Sequence, residues 1–379
     1  MVQQERLVQQ FLELVQIDSE TMQEERIADE LKRRFAALGL QVEEDDSKSR
    51  SGCGANNLQA TLEASPGLDQ APVIYFTCHM DTVAPGIGVK PIVDEQGIIR
   101  SDGRTVLGSD DKAGIAAMLE LIQVLRENNI PHGTVKFVIT AGEESALRGS
   151  RAMTPGWVQA DFGYAIDSNG EVGSIAVAAP AQAKVYIHVT GKAAHAGVNP
   201  ETGISAISAA AKAVARMPLG RIDQETTANI GSFVGTGATN VVCDKVELVG
   251  EARSLVTEKL DKQLAAMKAA CDEAARETGA VIDFRTERMY PAYKFDETSP
   301  VVQLAMRAIR NAGLEPSAFH SGGGSDANVL NGHGIPTVNL AVGYNHIHTT
   351  EEHIAVADLV KITRVVVEIV KEAAKAKRE

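Results

Sequence analysis

The chain lacks any run of about 18 consecutive apolar residues, the length a helix needs to cross a bilayer, so no membrane span is expected. Its four cysteines, Cys53, Cys78, Cys243 and Cys271, form no C-x-x-C pair and no zinc-finger spacing. That excludes a disulfide-stapled scaffold or a thiolate metal cage and suits reduced thiols. Basic residues are in the minority, 37 Lys and Arg against 50 Asp and Glu, and the net charge of −13 disfavours a nucleic-acid or anionic-membrane partner. The opening Met1-Val2-Gln3-Gln4-Glu5-Arg6 has neither the basic region nor the apolar core of a secretory leader, so a cytoplasmic protein is expected. Also missing are H-E-x-x-H, the G-x-S-x-G elbow and the G-x-x-x-x-G-K-[ST] phosphate loop. Gly235-Thr236-Gly237 lacks the third glycine of a dinucleotide fingerprint and reads as a loop.

What is present is an ordinary globular composition, 44% hydrophobic and 23% charged, over 379 residues, more than one core usually supports. Two domains are expected. Val73 to Val83 is an apolar, β-branched and aromatic run introduced by Pro72, and it delivers His79 and Asp81 to the C-terminal end of a buried strand. Positions i and i+2 share a face there, so Asp81 is placed to receive the second ring N–H of His79.

Helical spacing marks Leu7 to Val15, Ile27 to Leu38 and Ile115 to Arg126. Residues 43–56 read as a loop, and Asn57 to Leu62 as a strand beside the Val73 strand. Val135 to Thr140 and Tyr164 to Ile166 read as further strands, ending at Glu143-Glu144 and Asp167. Acids and a histidine at successive strand ends point to an α/β fold with a mixed, mostly parallel sheet. From Ala181 the pattern changes to strand, helix, strands, helix, strand, an α+β sandwich of residues 181–292 inserted into a catalytic domain of residues 1–180 and 293–379. The remainder carries a helix near Val301 to Ala312, the run Ser321-Gly322-Gly323-Gly324-Ser325-Asp326, a strand at Thr337 to Leu340 and a closing helix from Val356 to about Lys375.

The polar residues left over are His79, Asp110, Glu144, Asp167 and a histidine in Gly343-Tyr344-Asn345-His346-Ile347-His348-Thr349-Thr350-Glu351. Histidine and carboxylate donors suit Zn²⁺, Mn²⁺ or Co²⁺. One histidine per ion with a shared carboxylate would make a two-metal site. Each of these residues also has a plainer use; Asp110 or Asp111 can cap the helix that follows.

His79-Met80-Asp81-Thr82-Val83, Gly108-Ser109-Asp110-Asp111-Lys112-Ala113-Gly114, Gly142-Glu143-Glu144, Asp167, Gly191-Lys192-Ala193-Ala194-His195-Ala196-Gly197 and His348-Thr349-Thr350-Glu351 together resemble the M20 family of metallopeptidases, nearest its peptidase T (aminotripeptidase) branch. The resemblance implies a phosphorylase/hydrolase-like catalytic domain and two divalent ions per chain, zinc first, with Mn or Co as alternatives. His79 and Asp167 would hold one ion, Glu144 and His348 the other, and Asp110 both. His348 is preferred to His346 because the His-x-x-Glu pattern begins there. Glu143 would be the general base toward a water bridging the ions, and Asp81 would orient His79. The inserted domain would be a lid and a homodimer surface, with His195 stabilising the oxyanion in a neighbouring subunit. Asn240 and Arg253 would bind substrate, Arg253 through a peptide C-terminal carboxylate, and Gly323, Gly324 and Asp326 would line the pocket. The activity so implied is aminopeptidase cleavage of short peptides. Deacylation of N-acyl amino acids, or a non-catalytic binding role on the same fold, are the alternatives.

Overall fold

The protein is described from a computed structural model covering residues 1–377. It divides into two compact units, Met1–Ala179 with the chain from Lys294 onward, and Pro180–Tyr293. Two amphipathic helices, α1 (Gln4–Val15) and α2 (Glu25–Ala37), open the first unit and bury Leu7, Phe11, Leu14, Ile27, Leu31 and Phe35. Strands β1 (Gln41–Glu44), β2 (Leu58–Leu62) and β3 (Ile74–His79) follow, then helix α3 (Ser109–Glu127) and strands β4 (Val135–Thr140), β5 (Phe162–Ser168) and β6 (Ser174–Ala179). The chain leaves for the second unit with β7 (Ala181–Thr190), α4 (Ala206–Arg216), β8 (Thr226–Val234), β9 (Lys245–Ser254), α5 (Thr257–Thr278) and β10 (Val281–Tyr290). It returns with α6 (Pro300–Asn311), β11 (Ser317–His320), α7 (Asp326–Gly332), β12 (Thr337–Ala341) and α8 (Val356–Ala373).

In the first unit the sheet order is β1-β2-β4-β3-β5-β12-β6, with β11 on β6. The centre is parallel: β3 pairs β4 and β5, and β12 pairs β5, all in the same direction. All six residues of β3 are buried, as expected of a strand covered on both faces. One face receives α3, on which α1 and α8 pack in turn, and the other receives α7. Phe76 stacks on Phe137 at 6.4 Å and lies 6.0 Å from Tyr164, while Phe35 from α2 reaches Phe137 at 6.0 Å. On the opposite face, Gly163 lies across from Tyr75, and a Cβ there would fall 2.0 Å from the tyrosine ring.

In the second unit β8, β9, β7 and β10 are successive neighbours in an antiparallel sheet. β9 alternates, burying Val246, Leu248 and Ala252 under α4 and α5 while the intervening side chains face outward.

Three expectations are corrected. Residues 43–56 contain the end of β1 and a helical turn at Lys48–Ser51 as well as loop. The Leu58–Leu62 strand lies next to β4 and β1, with β4 separating it from β3. Asp167 sits inside β5, because backbone pairing with β12 continues past it to Ser168. Among the described residues no helix is long and apolar enough to cross a membrane.

Candidate metal centre

β3 and β4 run in register with His79 opposite Thr140, so both strands end at one level. His79 is 1% exposed. Its Nδ1 lies 3.0 Å from the main-chain oxygen of Asp81 and 3.4 Å from Asp81 Oδ1. A carbonyl oxygen only accepts, so Nδ1 carries the proton and the Nε2 lone pair is left for a metal. The ring N–H thus goes chiefly to the Asp81 main chain rather than to its carboxylate. That carboxylate instead accepts the N–H of Glu143 at 3.0 Å, the N–H of Glu144 at 3.2 Å and the Thr21 hydroxyl at 2.6 Å.

Asp110 enters from the start of α3, which approaches the sheet closely at Gly114: a Cβ there would lie 2.5 Å from Cys78 Sγ. Oδ1 of Asp110 is 3.1 Å from Nε2 of His79, and Oδ2 is 3.2 Å from Nε2 of His348. The same His348 nitrogen is 2.9 Å from Glu144 Oε1, and His79 Nε2 is 3.8 Å from Asp167 Oδ1. One carboxylate therefore faces two histidines, each with a further acid at its side. His346, two residues from His348, points elsewhere, its ring 5.4 Å from that of His353. Donor atoms of His79, Asp110 and Glu144 lie within 4.8 Å of one another, as do those of His79, Asp111 and Asp167.

The electrostatics describe a site with too much buried negative charge. Burial pushes the Glu143, Asp167 and Asp111 carboxyls well above the usual range, each with other carboxylates close by. Burial also raises Glu144, against the pull of His348. It would lower His79, but the Asp110 and Asp81 carboxylates outweigh it and raise that imidazole. His348 is raised to about 10 by its bonds to Asp110 and Glu144. Six acids around two imidazoles, with the buried Asp111 Oδ1 unpartnered, form a donor set of oxygen and nitrogen that fits divalent cations.

Several supporting residues escaped the sequence reading. Asn339 accepts the Asp167 N–H at 3.0 Å and donates to the Asp167 carbonyl at 2.9 Å, and the Tyr344 hydroxyl donates to Asp167 Oδ1 at 3.2 Å. Glu352, one residue past the last motif, is the buried acid there, whereas Glu351 is exposed. Tyr344 stands in the quoted histidine segment, but the sequence offers no way to choose between adjacent glutamates in a loop.

The expected substrate residues are dispersed. Asp326 is 3% exposed and accepts the Thr140 hydroxyl at the end of β4, while Gly323 lies in an exposed turn closed by Ser321. In the second unit His195 and Asn240 are exposed on adjoining loops, joined by the Ala196 N–H to the Asn240 carbonyl at 2.9 Å. Arg253 is half-buried near the far end of β9, with Nε 2.7 Å from Glu251 Oε1.

The family profile described as Peptidase family M20/M25/M40 matches residues 75–372, which takes in every motif above. The chain belongs to that family. As an M20 peptidase it is a metal-dependent exopeptidase. It is similar to a solved aminopeptidase PepT from Bacillus cereus ATCC 10987, with 55% identity, a TM-score of 0.92 and coverage of 98% of this chain and 99% of that one. A tripeptidase from Staphylococcus aureus subsp. aureus mu50 gives 47% identity and a TM-score of 0.95 over 99% of this chain and 100% of that one. Uncharacterized protein YqjE of Bacillus subtilis (strain 168) is 55% identical over 99% of this chain and all of its own length.

Proposed function

We propose that this M20 peptidase is a cytoplasmic di-metal aminopeptidase that cleaves short peptides, tripeptides among them. The observation that carries the reading is Asp110, whose two carboxylate oxygens face His79 and His348 separately. His79 and Asp167 would hold one ion, Glu144 and His348 the other, and Asp110 both. Zinc is the proposed metal, and the oxygen and nitrogen donors also suit Mn²⁺ or Co²⁺. Two divalent ions held there would supply positive charge to polarise a scissile carbonyl and to acidify water for attack at neutral pH. Glu143 takes the proton from the attacking water and returns it to the leaving amine. Asp81 holds the Glu143 and Glu144 amides and, through its main chain, the His79 tautomer.

The second unit, from about residue 181 to 292, is assigned the roles of lid and homodimer surface. His195 would stabilise the oxyanion, and Asn240 and Arg253 would hold the peptide, Arg253 by its C-terminal carboxylate. Gly323, Gly324 and the buried Asp326 remain the proposed lining of the substrate pocket. From Lys245 to Arg253, β9 spans about 26 Å at ~3.3 Å per residue, and His195 and Asn240 lie beyond its Lys245 end. An extended tripeptide of about 10 Å does not reach both ends. This supports Arg253 serving one site and His195, with Asn240 beside it, that of a neighbouring subunit.

Glu143→Ala tests the mechanism: bound metal should stay at the wild-type level while kcat on a tripeptide falls about 10²- to 10⁴-fold. Near-normal turnover would remove Glu143 from the reaction. Assaying tripeptides, dipeptides and N-acetyl amino acids in parallel separates peptidase from deacylase, and preferential hydrolysis of the acetylated compounds would overturn the aminopeptidase assignment.

A further inference from the structure

Glu352 follows His348 by four residues and is 1% exposed. Its carboxylate accepts four hydrogen bonds, all from the segment that introduces Asp110. Oε2 takes the N–H groups of Leu107 at 2.7 Å and Gly108 at 2.9 Å, and Oε1 takes the Ser109 hydroxyl at 2.6 Å and the Asp110 N–H at 3.1 Å. An ionised carboxylate offers about four lone-pair sites, so all of its accepting capacity is committed to this one segment. Gly108 is left-handed, with φ +76°, so a sharply turned chain is being fixed. The two segments joined in this way bring Asp110 and His348 face to face, 3.2 Å apart.

We infer that Glu352 is a positioning residue that locks the Asp110 segment to the His348 segment, so that the metal position shared by Asp110, Glu144 and His348 is formed only while Glu352 holds the two together. The inference rests on the ligand set proposed above. A carboxylate that only satisfied buried donors would stabilise the chain without regard to metal. This one bonds the main-chain N–H of the shared ligand itself, and it lies on the loop that supplies the partner histidine. A glutamine in its place keeps the shape, but its NH₂ group cannot accept: if it lies on the Ser109 side, the hydroxyl can turn to accept from it while the Asp110 N–H loses its acceptor, and if it lies on the other side, the Leu107 and Gly108 N–H groups lose theirs.

Zn²⁺ titration against a competing chromophoric chelator, with melting of the metal-free chain followed in parallel, tests the assignment on wild type, Glu352→Gln, Ser109→Ala and Glu351→Gln. Glu352→Gln is expected to weaken one of the two zinc constants, that of the position shared by Asp110, Glu144 and His348, by about 10- to 100-fold. Ser109→Ala, which removes one bond of the four, should shift the same constant in the same direction by a smaller factor. Glu351→Gln, at an exposed neighbour, should leave both constants unchanged. Lower melting of Glu352→Gln with both zinc constants unchanged would overturn the inference. If Glu352→Gln does not fold, unchanged zinc constants in Ser109→Ala would overturn it equally. A wild-type chain that takes up a single ion would remove the ligand set itself, and this inference with it.

Discussion

Asp81 shows how far a single residue can be understood before its surroundings are seen. The i and i+2 spacing from His79 places it at the right end of the right strand. Its carboxylate nonetheless turns to the Glu143 and Glu144 amides and the Thr21 hydroxyl, leaving the imidazole N–H to its own carbonyl. Asp81→Asn should therefore act through the loop that carries both glutamates, weakening zinc affinity about 10- to 100-fold as measured by chelator competition. Affinity equal to wild type would show that the loop holds its place without this acceptor. The legible residues, His79, Asp110, Glu144 and Asp167, are polar groups following apolar runs or preceding a helix. Glu352 was not legible, because its partners lie about 240 positions away and its neighbour Glu351 is chemically identical. Asn339 was hidden for a related reason: it reads as the polar member of a strand, while its function is to clamp the Asp167 main chain from the adjacent strand.

Among the elements, those with one buried face or two were visible from pattern alone. α1, α2 and α8 repeat apolar residues at helical spacing, and β3 and β4 are short apolar runs. β1 was missed because Val42 is the single apolar residue among its four, Gln41-Val42-Glu43-Glu44, and is only partly buried, which gives no alternation to detect. The order of strands was also beyond reach, since β2 meets β4 across more than 70 residues of sequence and no local pattern encodes that pairing. Close approach within the sheet yields a prediction of its own. Gly163→Ala would set a Cβ 2.0 Å from the Tyr75 ring, which is fully buried and tied by its hydroxyl to Thr337. The ring has little room to retreat, so a loss of about 1–3 kcal/mol is expected from the urea midpoint of the first unit. Gly237→Ala, where a Cβ meets nothing within 4 Å, should be neutral. Equal midpoints for the two variants would mean that the Tyr75 packing is softer than described.

At the scale of the whole molecule, the change of texture near Ala181 was readable because an alternating antiparallel sheet under two helices looks different from a buried parallel one. The two units arise at Pro180 and Tyr293. Physical pattern alone carried the reading as far as strand ends rich in acids, and the joint occurrence of six motifs carried it to the M20 family. What the fold adds is the convergence of Asp110 between two histidines brought from β3 and from the loop before α8. The account therefore turns on a shared carboxylate, and metal content tests it most directly. Wild type and Asp110→Ala, dialysed with excess Zn²⁺ and then freed of loosely held metal, are compared by inductively coupled plasma mass spectrometry. Two zinc ions per wild-type chain and fewer than one in Asp110→Ala are predicted, whereas equal zinc content in the two proteins would contradict a centre built on Asp110.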